Sequence, residues 1–552
     1  LRILICHGYL LRGTGSNQYV QSLARALCRQ GHHLVLMCQD GDPRLDFVTT
    51  FLRERADGMS PQVVWEQETE YPGSCLVFKP DIGHLLPVYV LDNYQGFEVK
   101  EFPDLDDSEL ERYVEANRRA LARLTRQFVP DAIQVNHAVM LPYIVSPVAR
   151  QADTPYFVSL HGSAIEFTVR KDGRFLRYGA EGLEGASGIL APSRHTADVA
   201  REVFGHFVEG LDSRIAIVPP GVDTELFTTT DRTQRQSVGM LLEAARERMS
   251  GVTVGDFLGN TKAEAVPEDV NQAIRREADR INARHPDWLP EPDIGDRLDP
   301  VDAEGRPFVM FLGKLLETKG IQCVLPALPL VMREHPEACL VVVGFGELRG
   351  VLELMLDALD QGDVRRLKSL CEYGNREYTR SGPLFTPVLT FLDELAGSGI
   401  LDEYLRLCRD SDIRDSIVFT GYLTPEEHRY LLPHARALLV PSLAPEAFGM
   451  VATEAMAAGV VPIATYHSGL EAALEPVRKV WGREADALLL GTNEKIVARI
   501  AAACRTVLEM PDRELKLRGV EMREVVKEHL SWDAVSRRMV AMFEEASRLP
   551  PP

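Results

Sequence analysis

Short, almost wholly apolar runs recur along this chain, several of them followed by a glycine-bearing loop and then by a stretch with helical spacing of its apolar residues. The first cycle predicts a strand over Ile3 to Cys6, a loop Gly13-Thr14-Gly15-Ser16-Asn17, a helix from about Gln18 to Gln30 ended by Gly31, and a strand over Leu34 to Cys38. Further strands are predicted at Ala132 to Val135, Tyr156 to Leu160, Ile189 to Ala191 and Ala216 to Val218, with helices between them. Runs that are apolar throughout, rather than alternating, belong to parallel sheets covered on both faces. Pro219-Pro220-Gly221-Val222-Asp223 is a strong break. Beyond it the chain is charged and punctuated by proline to about residue 305, with helical stretches at Gln234 to Met249 and Glu268 to Arg284. The strand–loop–helix rhythm then restarts. Phe308 to Leu312 leads into Gly313 to Gly320, Leu340 to Val343 into Gly344-Phe345-Gly346, Ile417 to Thr420 into Gly421, and Ala437 to Val440 into Pro441-Ser442. A second, mostly helical insertion interrupts this series between Leu348 and Asp415, and a last helix is predicted from Trp532 to Arg548.

The pattern gives an α/β class with two doubly wound, Rossmann-like domains. Their expected bounds are 1–228, then an insertion or linker 229–305, then 306–530 with its own insertion at about 348–415. Residues 531–552 form a C-terminal helix expected to pack back on the first domain. In open α/β sheets ligands bind at the carboxyl ends of strands, so the glycine loops mark where chemistry belongs, on either side of a cleft between the two domains.

Composition narrows this picture little. The chain has 552 residues, 45% hydrophobic and 26% charged, as in soluble globular proteins. A net charge of −20 argues against general nucleic-acid binding. The nine cysteines are scattered and form no ligand-spaced cluster, which predicts buried thiols, no metal site and a reducing, cytoplasmic compartment. The opening Leu1-Arg2-Ile3-Leu4-Ile5-Cys6 reads as a buried strand rather than a signal peptide, and no apolar run reaches the length of a membrane span. Asp104-Leu105-Asp106 precedes a helical run and reads as a cap rather than a metal-binding pair. The helix from Ser108 to Phe128 carries Arg112, Arg119, Arg123 and Arg126 opposite its apolar stripe, which reads as a solvated face rather than as a peripheral membrane contact.

The densest chemistry lies in Pro445-Glu446-Ala447-Phe448-Gly449-Met450-Val451-Ala452-Thr453-Glu454-Ala455-Met456-Ala457-Ala458-Gly459. A Phe-Gly turn leads into a helix from about Met450, so Glu446 falls in the loop before the helix and Glu454 about one turn inside it. The N–H groups of Gly449, Met450 and Val451 are then the unpaired donors of a helix N-terminus, which suit a phosphate. Carboxylates on either side accept sugar hydroxyls. Upstream, Gly313-Lys314-Leu315-Leu316-Glu317-Thr318-Lys319-Gly320 places two ammonium groups after a strand, where they can neutralise a leaving diphosphate.

The string Glu-x-Phe-Gly-x-x-x-x-Glu-Ala-Met-Ala-x-Gly resembles the E-x7-E signature of the retaining glycosyltransferases of family 4, and the lysine loop resembles that family's Gly-Arg/Lys … Lys-Gly loop, with Lys at 314 where Arg is commoner. The resemblance covers most of 1–228, 306–346 and 416–549, but neither insertion. It implies a GT-B architecture and transfer from a nucleotide-diphosphate sugar, the donor substrate, with no separate cofactor. The acceptor is a sugar, small polyol, lipid or glycan. Glu454 would hold the ribose and Glu446 the donor sugar, while Lys314, Lys319 and the amides after Phe448 would stabilise the diphosphate. His161, at a strand end, resembles the histidine that contacts the donor sugar near the leaving group. The loop with Gly15 corresponds to one that passes close to the donor phosphates, and Asn136-His137 lies where acceptor-side residues lie in relatives. Rival readings are a phosphorylase or sugar-nucleotide epimerase on the same fold, or a non-catalytic sugar-nucleotide binder. The insertions could serve as lids, oligomer contacts or acceptor-recognition elements, and the oligomeric state stays open.

Overall fold

A computed structural model describes residues 1–55, 60–90, 94, 96–249, 269–285, 287–302, 305–378 and 381–548. The middle of the first insertion, 250–268, and with it the expected helix start at Glu268, lies outside the described residues. The chain forms two compact units. One comprises Leu1–Gly221 with the described part of Glu528–Pro552, the other Val222–Lys527. The boundary therefore falls inside the Pro-Pro-Gly-Val-Asp break.

The first unit is built on strands β1 (Arg2–Cys6), β2 (His33–Met37), β3 (Val48–Arg53), β4 (Gln62–Glu66), β5 (Ser74–Lys79), β6 (Leu85–Val88), β7 (Glu98–Glu101), β8 (Ala132–Asn136), β9 (Tyr156–Ser159), β10 (Gly188–Ala191) and β11 (Ile215–Ile217). Among the described residues nine of them make one sheet in the order β11-β10-β9-β8-β1-β2-β5-β3-β4, while β6 and β7 pair separately. Every pairing is parallel except β3 with β4. Alternate residues of β1 enter opposite cores. Leu4 and Cys6 join one apolar cluster, Ile3 and Ile5 the other. The helix Trp532–Arg548 supplies Trp532, Val535, Met539 and Phe543 to the second cluster. Gly221 is needed here, because a Cβ on it would stand 2.5 Å from the Trp532 ring.

The region between residues 48 and 101 departs from the sequence expectation, which assigned it no strands. β4 is the reason in part: it is an edge strand, exposed along most of its length, and its apolar run Val63-Val64-Trp65 is only three residues long. The first helix also starts earlier than expected, at Gly15 rather than near Gln18, so Gly15 occupies the first helical position instead of the preceding loop. Asp106 does cap the helix Asp107–Phe128: its carboxylate accepts from the Glu109 N–H at 2.8 Å, and Glu109 returns to the Asp106 N–H. The apolar stripe of that helix is buried, and Arg123 is paired with Glu54 at 3.4 Å.

The second unit carries β12 (Phe308–Leu312), β13 (Cys339–Val343), β14 (Ile417–Gly421), β15 (Ala437–Val440), β16 (Val461–Thr465) and β17 (Leu489–Leu490), ordered β14-β13-β12-β15-β16-β17 and parallel throughout. β16 escaped sequence reading because Pro462 argues against an interior strand, yet it lies between β15 and β17 and is fully buried. Both insertions belong to this unit. The helix Val270–Asn282 of the first packs on Arg349–Asp360 of the second, so closely that a Cβ at Gly350 would lie 2.3 Å from the Ala278 carbonyl oxygen. All nine cysteines are buried free thiols. No helix among the described residues is long and apolar enough to cross a membrane.

Candidate functional site

In each sheet the chain reverses its direction of travel beside its first strand, which opens a crevice at the carboxyl edge. In the first unit the reversal falls between β1 and β8, in the second between β12 and β15. The residues singled out by sequence lie at these two places.

In the second unit β12 runs into Gly313 and Lys314, and β15 into Pro441 and Ser442. Two glycines let these loops meet. A Cβ at Gly320, which has φ +75°, would lie 1.9 Å from the Pro441 carbonyl oxygen, and one at Gly344 the same distance from that of Gly313. The Leu443 N–H donates to the Thr318 carbonyl at 2.8 Å, which ties the lysine loop to the glutamate loop. Lys319 and Glu446 are thereby brought together, Nζ to Oε1 at 2.5 Å, and the Ser442 hydroxyl donates to the same oxygen at 2.7 Å. The backbone of Glu446 is fixed as well, its N–H donating to the Ser468 hydroxyl at 2.9 Å. Burial alone would raise the Glu446 carboxyl. The Lys319 ammonium, with hydrogen bonds from Lys319 and Ser442, outweighs it and holds the group below the ordinary carboxylate range. Glu446 is therefore an ionised acceptor half screened from water.

Phe448 is buried and serves packing. Gly449 follows it at φ +102° as the N-cap of the helix Met450–Ala457, and no side chain caps this helix. The first-turn N–H groups of Met450 and Val451 thus have no intrahelical acceptor. Glu454 projects from the same helix. Its carboxyl has no hydrogen bond or ion pair among the described residues, and burial pushes it up to about 7. A half-buried carboxyl without a partner is poised to accept hydroxyls, since such bonds favour its charged form.

Lys314 stands apart from that pair. Its Nζ lies 5.1 Å from the centroid of the Trp288 ring and 5.5 Å from that of Phe345. Trp288, Phe345 and Tyr422 pack on one another with centroids 4.3, 5.2 and 5.5 Å apart. Sequence reading missed Trp288, which comes from the first insertion, and it missed Ser442 and Ser468. Only Ser442 left a signal, its place directly after a strand end.

In the first unit the crevice is lined by imidazoles. His7 follows β1, His137 follows β8, and His161 follows β9 by two residues. The ring centroids of His137 and His161 are 4.6 Å apart, those of His7 and His137 6.2 Å. His161 donates from Nε2 to the Asn136 side-chain oxygen at 3.1 Å, and Asn136 in turn donates to the Cys6 carbonyl at 3.1 Å. His7 donates to the Asn17 side-chain oxygen at 2.9 Å. His137 has a left-handed backbone at φ +70° and, among the described residues, no hydrogen-bond partner at either ring nitrogen. Burial drives all three down, His7 to about 4 and His161 to about 3, so each is neutral at physiological pH. Gly15 is exposed, and a Cβ there would meet nothing within 4 Å. Neither packing nor a positive φ demands that glycine.

Two family models match the chain, Glycosyltransferase Family 4 over residues 13–226 and Glycosyl transferases group 1 over 395–512. An uncharacterized glycosyltransferase of Methanocaldococcus jannaschii is 22% identical over 244 residues, 44% of this chain and 45% of that protein, so the chain spans under half the length of this relative. Among solved structures, the sucrose-phosphate synthase of Thermosynechococcus elongatus superposes with a TM-score of 0.52 at 17% identity, over 99% of this chain and 98% of that one. HepE of Anabaena, in complex with UDP and glucose, superposes with a TM-score of 0.53 at 13% identity, over 99% of each chain. With a family 4 region before the Pro-Pro-Gly-Val-Asp break, a group 1 region after it and a Rossmann-like sheet in each unit, the chain belongs to the GT-B glycosyltransferases.

Proposed function

We propose that the protein is a retaining, metal-independent glycosyltransferase that takes a nucleotide-diphosphate sugar on its second unit and passes the sugar to a hydroxyl-bearing acceptor. One observation carries this reading. Lys319, Glu446, an uncapped helix N-terminus and an unpartnered Glu454 converge at the carboxyl edge of one parallel sheet. That set offers cations and amides for a diphosphate, with a carboxylate on either side for hydroxyls. Glu454 accepts from the ribose and Glu446 from the donor sugar. The Lys319 ammonium, Lys314 and the N–H groups of Gly449, Met450 and Val451 take up the charge that develops on the leaving diphosphate. That HepE of Anabaena is in complex with UDP and glucose supports a donor of this chemical class.

Retention is favoured because the one named group with a pKa near the working pH, Glu454 at about 7, is assigned to the ribose on this reading. An inverting transfer needs a general base with a pKa near the working pH. His161, at about 3, is far too weak a base, and His137 is held well below the ordinary range. Glu446 is already engaged with Lys319. The acceptor hydroxyl then passes its proton to an oxygen of the departing diphosphate, on the same face, as the new glycosidic bond forms and the bond to the diphosphate breaks.

The test is nucleotide release from a panel of UDP-, ADP- and GDP-sugars, with and without EDTA. Release from at least one donor, undiminished by EDTA, is expected. Release abolished by EDTA and restored by manganese would refute neutralisation by lysines and amides.

A further inference from the structure

Beyond the imidazoles, the carboxyl edge of the first sheet changes character. β5 ends at Lys79 and β3 at Arg53, and the two residues are register partners on neighbouring parallel strands. Two like charges are thus set side by side, an arrangement that repels. Each is held by contacts that include no acid. The Lys79 ammonium lies 4.9 Å from the centroid of the Phe97 ring. The Arg53 guanidinium lies over Phe51 at 5.8 Å and donates to the Gly41 carbonyl, in the loop after β2, at 3.3 Å.

The chain has 81 acidic residues against 61 basic ones, yet the acids around this pair are engaged elsewhere. Asp40 accepts from the Leu11 and Asp42 N–H groups at 3.1 and 3.0 Å. Asp42 takes Arg44 at 3.3 Å and the Trp65 indole at 3.1 Å. Glu54 pairs with Arg123 at 3.4 Å and accepts from the Asp81 N–H at 3.1 Å, while Asp81 accepts from the Gly83 N–H at 3.0 Å. Among the described residues neither Lys79 nor Arg53 has an acid within ion-pair distance. Burial and then the Arg53 guanidinium hold the Lys79 ammonium below the ordinary lysine range, although Cys38, Asp40 and Asp81 act the other way. A planar fork beside a compact point charge suits the several oxygens of a phosphate dianion. The position suits it too. β5 is two strands from β1, about 10 Å at the usual strand spacing. A hydroxyl presented in the crevice beside β1 and a phosphate at Lys79 and Arg53 can therefore belong to one small molecule.

We propose that Lys79 and Arg53 form a phosphate-binding subsite for the acceptor, which is then a sugar or polyol that carries a phosphate monoester. The acceptor half of this inference rests on the glycosyltransferase reading given above, whereas the anion site stands on residues of the first unit alone.

The first probe is inorganic phosphate, titrated calorimetrically into the full chain with no donor present. The series comprises wild type, Arg53→Gln, Lys79→Gln, Lys79→Met, Lys79→Arg and Arg53→Gln combined with Lys79→Gln. Each single variant that removes a charge is expected to weaken phosphate binding about tenfold, as for the loss of one charge-assisted hydrogen bond. The double variant is expected to lose the site. Lys79→Arg keeps the charge and is expected to bind more tightly than Lys79→Gln. Lys79→Met keeps the apolar stem against Phe97, so the comparison survives if the glutamine variant fails to fold. A phosphate isotherm in the double variant identical to that of wild type would overturn the subsite and leave the donor reading intact, and so would a wild type that binds no phosphate. The second set of probes identifies the carrier: glucose against glucose 6-phosphate, inositol against inositol phosphate, and vesicles containing phosphatidic acid. At least one phosphorylated member is expected to bind about tenfold or more tighter than its parent and to lose that margin in the double variant. Vesicle binding that vanishes in the double variant, with no phosphorylated member bound, would overturn the small acceptor. Absence of nucleotide release from every donor would defeat the donor reading, and the phosphate isotherms would still decide the subsite.

Discussion

The carboxyl edges of the two sheets share a layout and differ in how burial is offset. At the ends of β1, β8 and β9 burial has its way. Among the described residues His7, His137 and His161 have no acid beside them, and they are driven to neutrality. At the ends of β12 and β15 pairing overrides burial, and Glu446 stays charged because Lys319 lies 2.5 Å away. Eight positions on, Glu454 lacks such a partner and rises to about 7. One architecture thus yields a neutral, imidazole-lined crevice and a charged one. On the function proposed above, the leaving diphosphate is assigned to the cations and amides of the second and the hydroxyl-bearing acceptor to the first.

The comparison breaks most visibly at Lys319. Lys319→Ala removes a cation from the leaving group and leaves the Glu446 carboxylate unpaired, so kcat for nucleotide release is expected to fall about 10²–10³-fold. Because Lys319 and Glu446 act as a pair, Glu446→Ala added to Lys319→Ala costs little more. Steady-state rates of the two single variants and the double variant check this, and fully additive losses would separate the two residues.

Next in size is Glu454. Glu454→Ala is expected to weaken donor affinity about 10- to 150-fold through loss of charge-assisted hydrogen bonds. The wild type should also show a pH signature. With a free-state pKa of about 7, the carboxyl must lose a proton to accept hydroxyls, so affinity falls as pH drops below that value. Glu454→Gln binds weakly with a flat profile. Stability runs the other way. The folded pKa lies above the ordinary 4.5, so the carboxyl costs stability as pH rises from about 4.5 to about 7. Glu454→Gln therefore melts higher than wild type at alkaline pH and shows no such gain at pH 4.5 and below. Calorimetry of donor binding and thermal melts across that range test both halves.

The smallest expected effect sharpens the neutral edge. His7 has a folded pKa of about 4 against an ordinary 6.5, so the unfolded chain takes up the extra proton and stability falls as pH drops through that window. His7→Gln keeps a donor toward Asn17 and cannot be protonated. Between pH 7 and pH 5 it should lose less stability than wild type, by about 1–2 kcal/mol in urea unfolding. Donor affinity at pH 7 should not change.

Much of this was legible before any coordinates. Apolar runs marked the crevice-lining strands of both sheets, with glycine loops after β1 and β12, and the spacing of Glu446 and Glu454 placed one in a loop and the other on a helix. What the sequence hid was pairing at a distance. Lys319 and Glu446 are 127 positions apart, and their contact depends on Gly320 and Thr318 docking against the loop after β15. Trp288 carried no signal, because it lies in an insertion whose path is fixed by Arg248 and Glu291. β16 was masked by Pro462, and β4 by its exposure.

The claim that a nucleotide-diphosphate sugar is cleaved with retention is tested most directly by proton NMR of the first-formed sugar. The donor is whichever one releases nucleotide, with water as acceptor, and the anomeric coupling is read before mutarotation. The anomeric configuration of the donor is predicted in the product. The opposite anomer would contradict the account, because it would require a general base where the account has none: His161 and His137 are too weak, Glu446 is paired with Lys319, and Glu454 is assigned to the ribose.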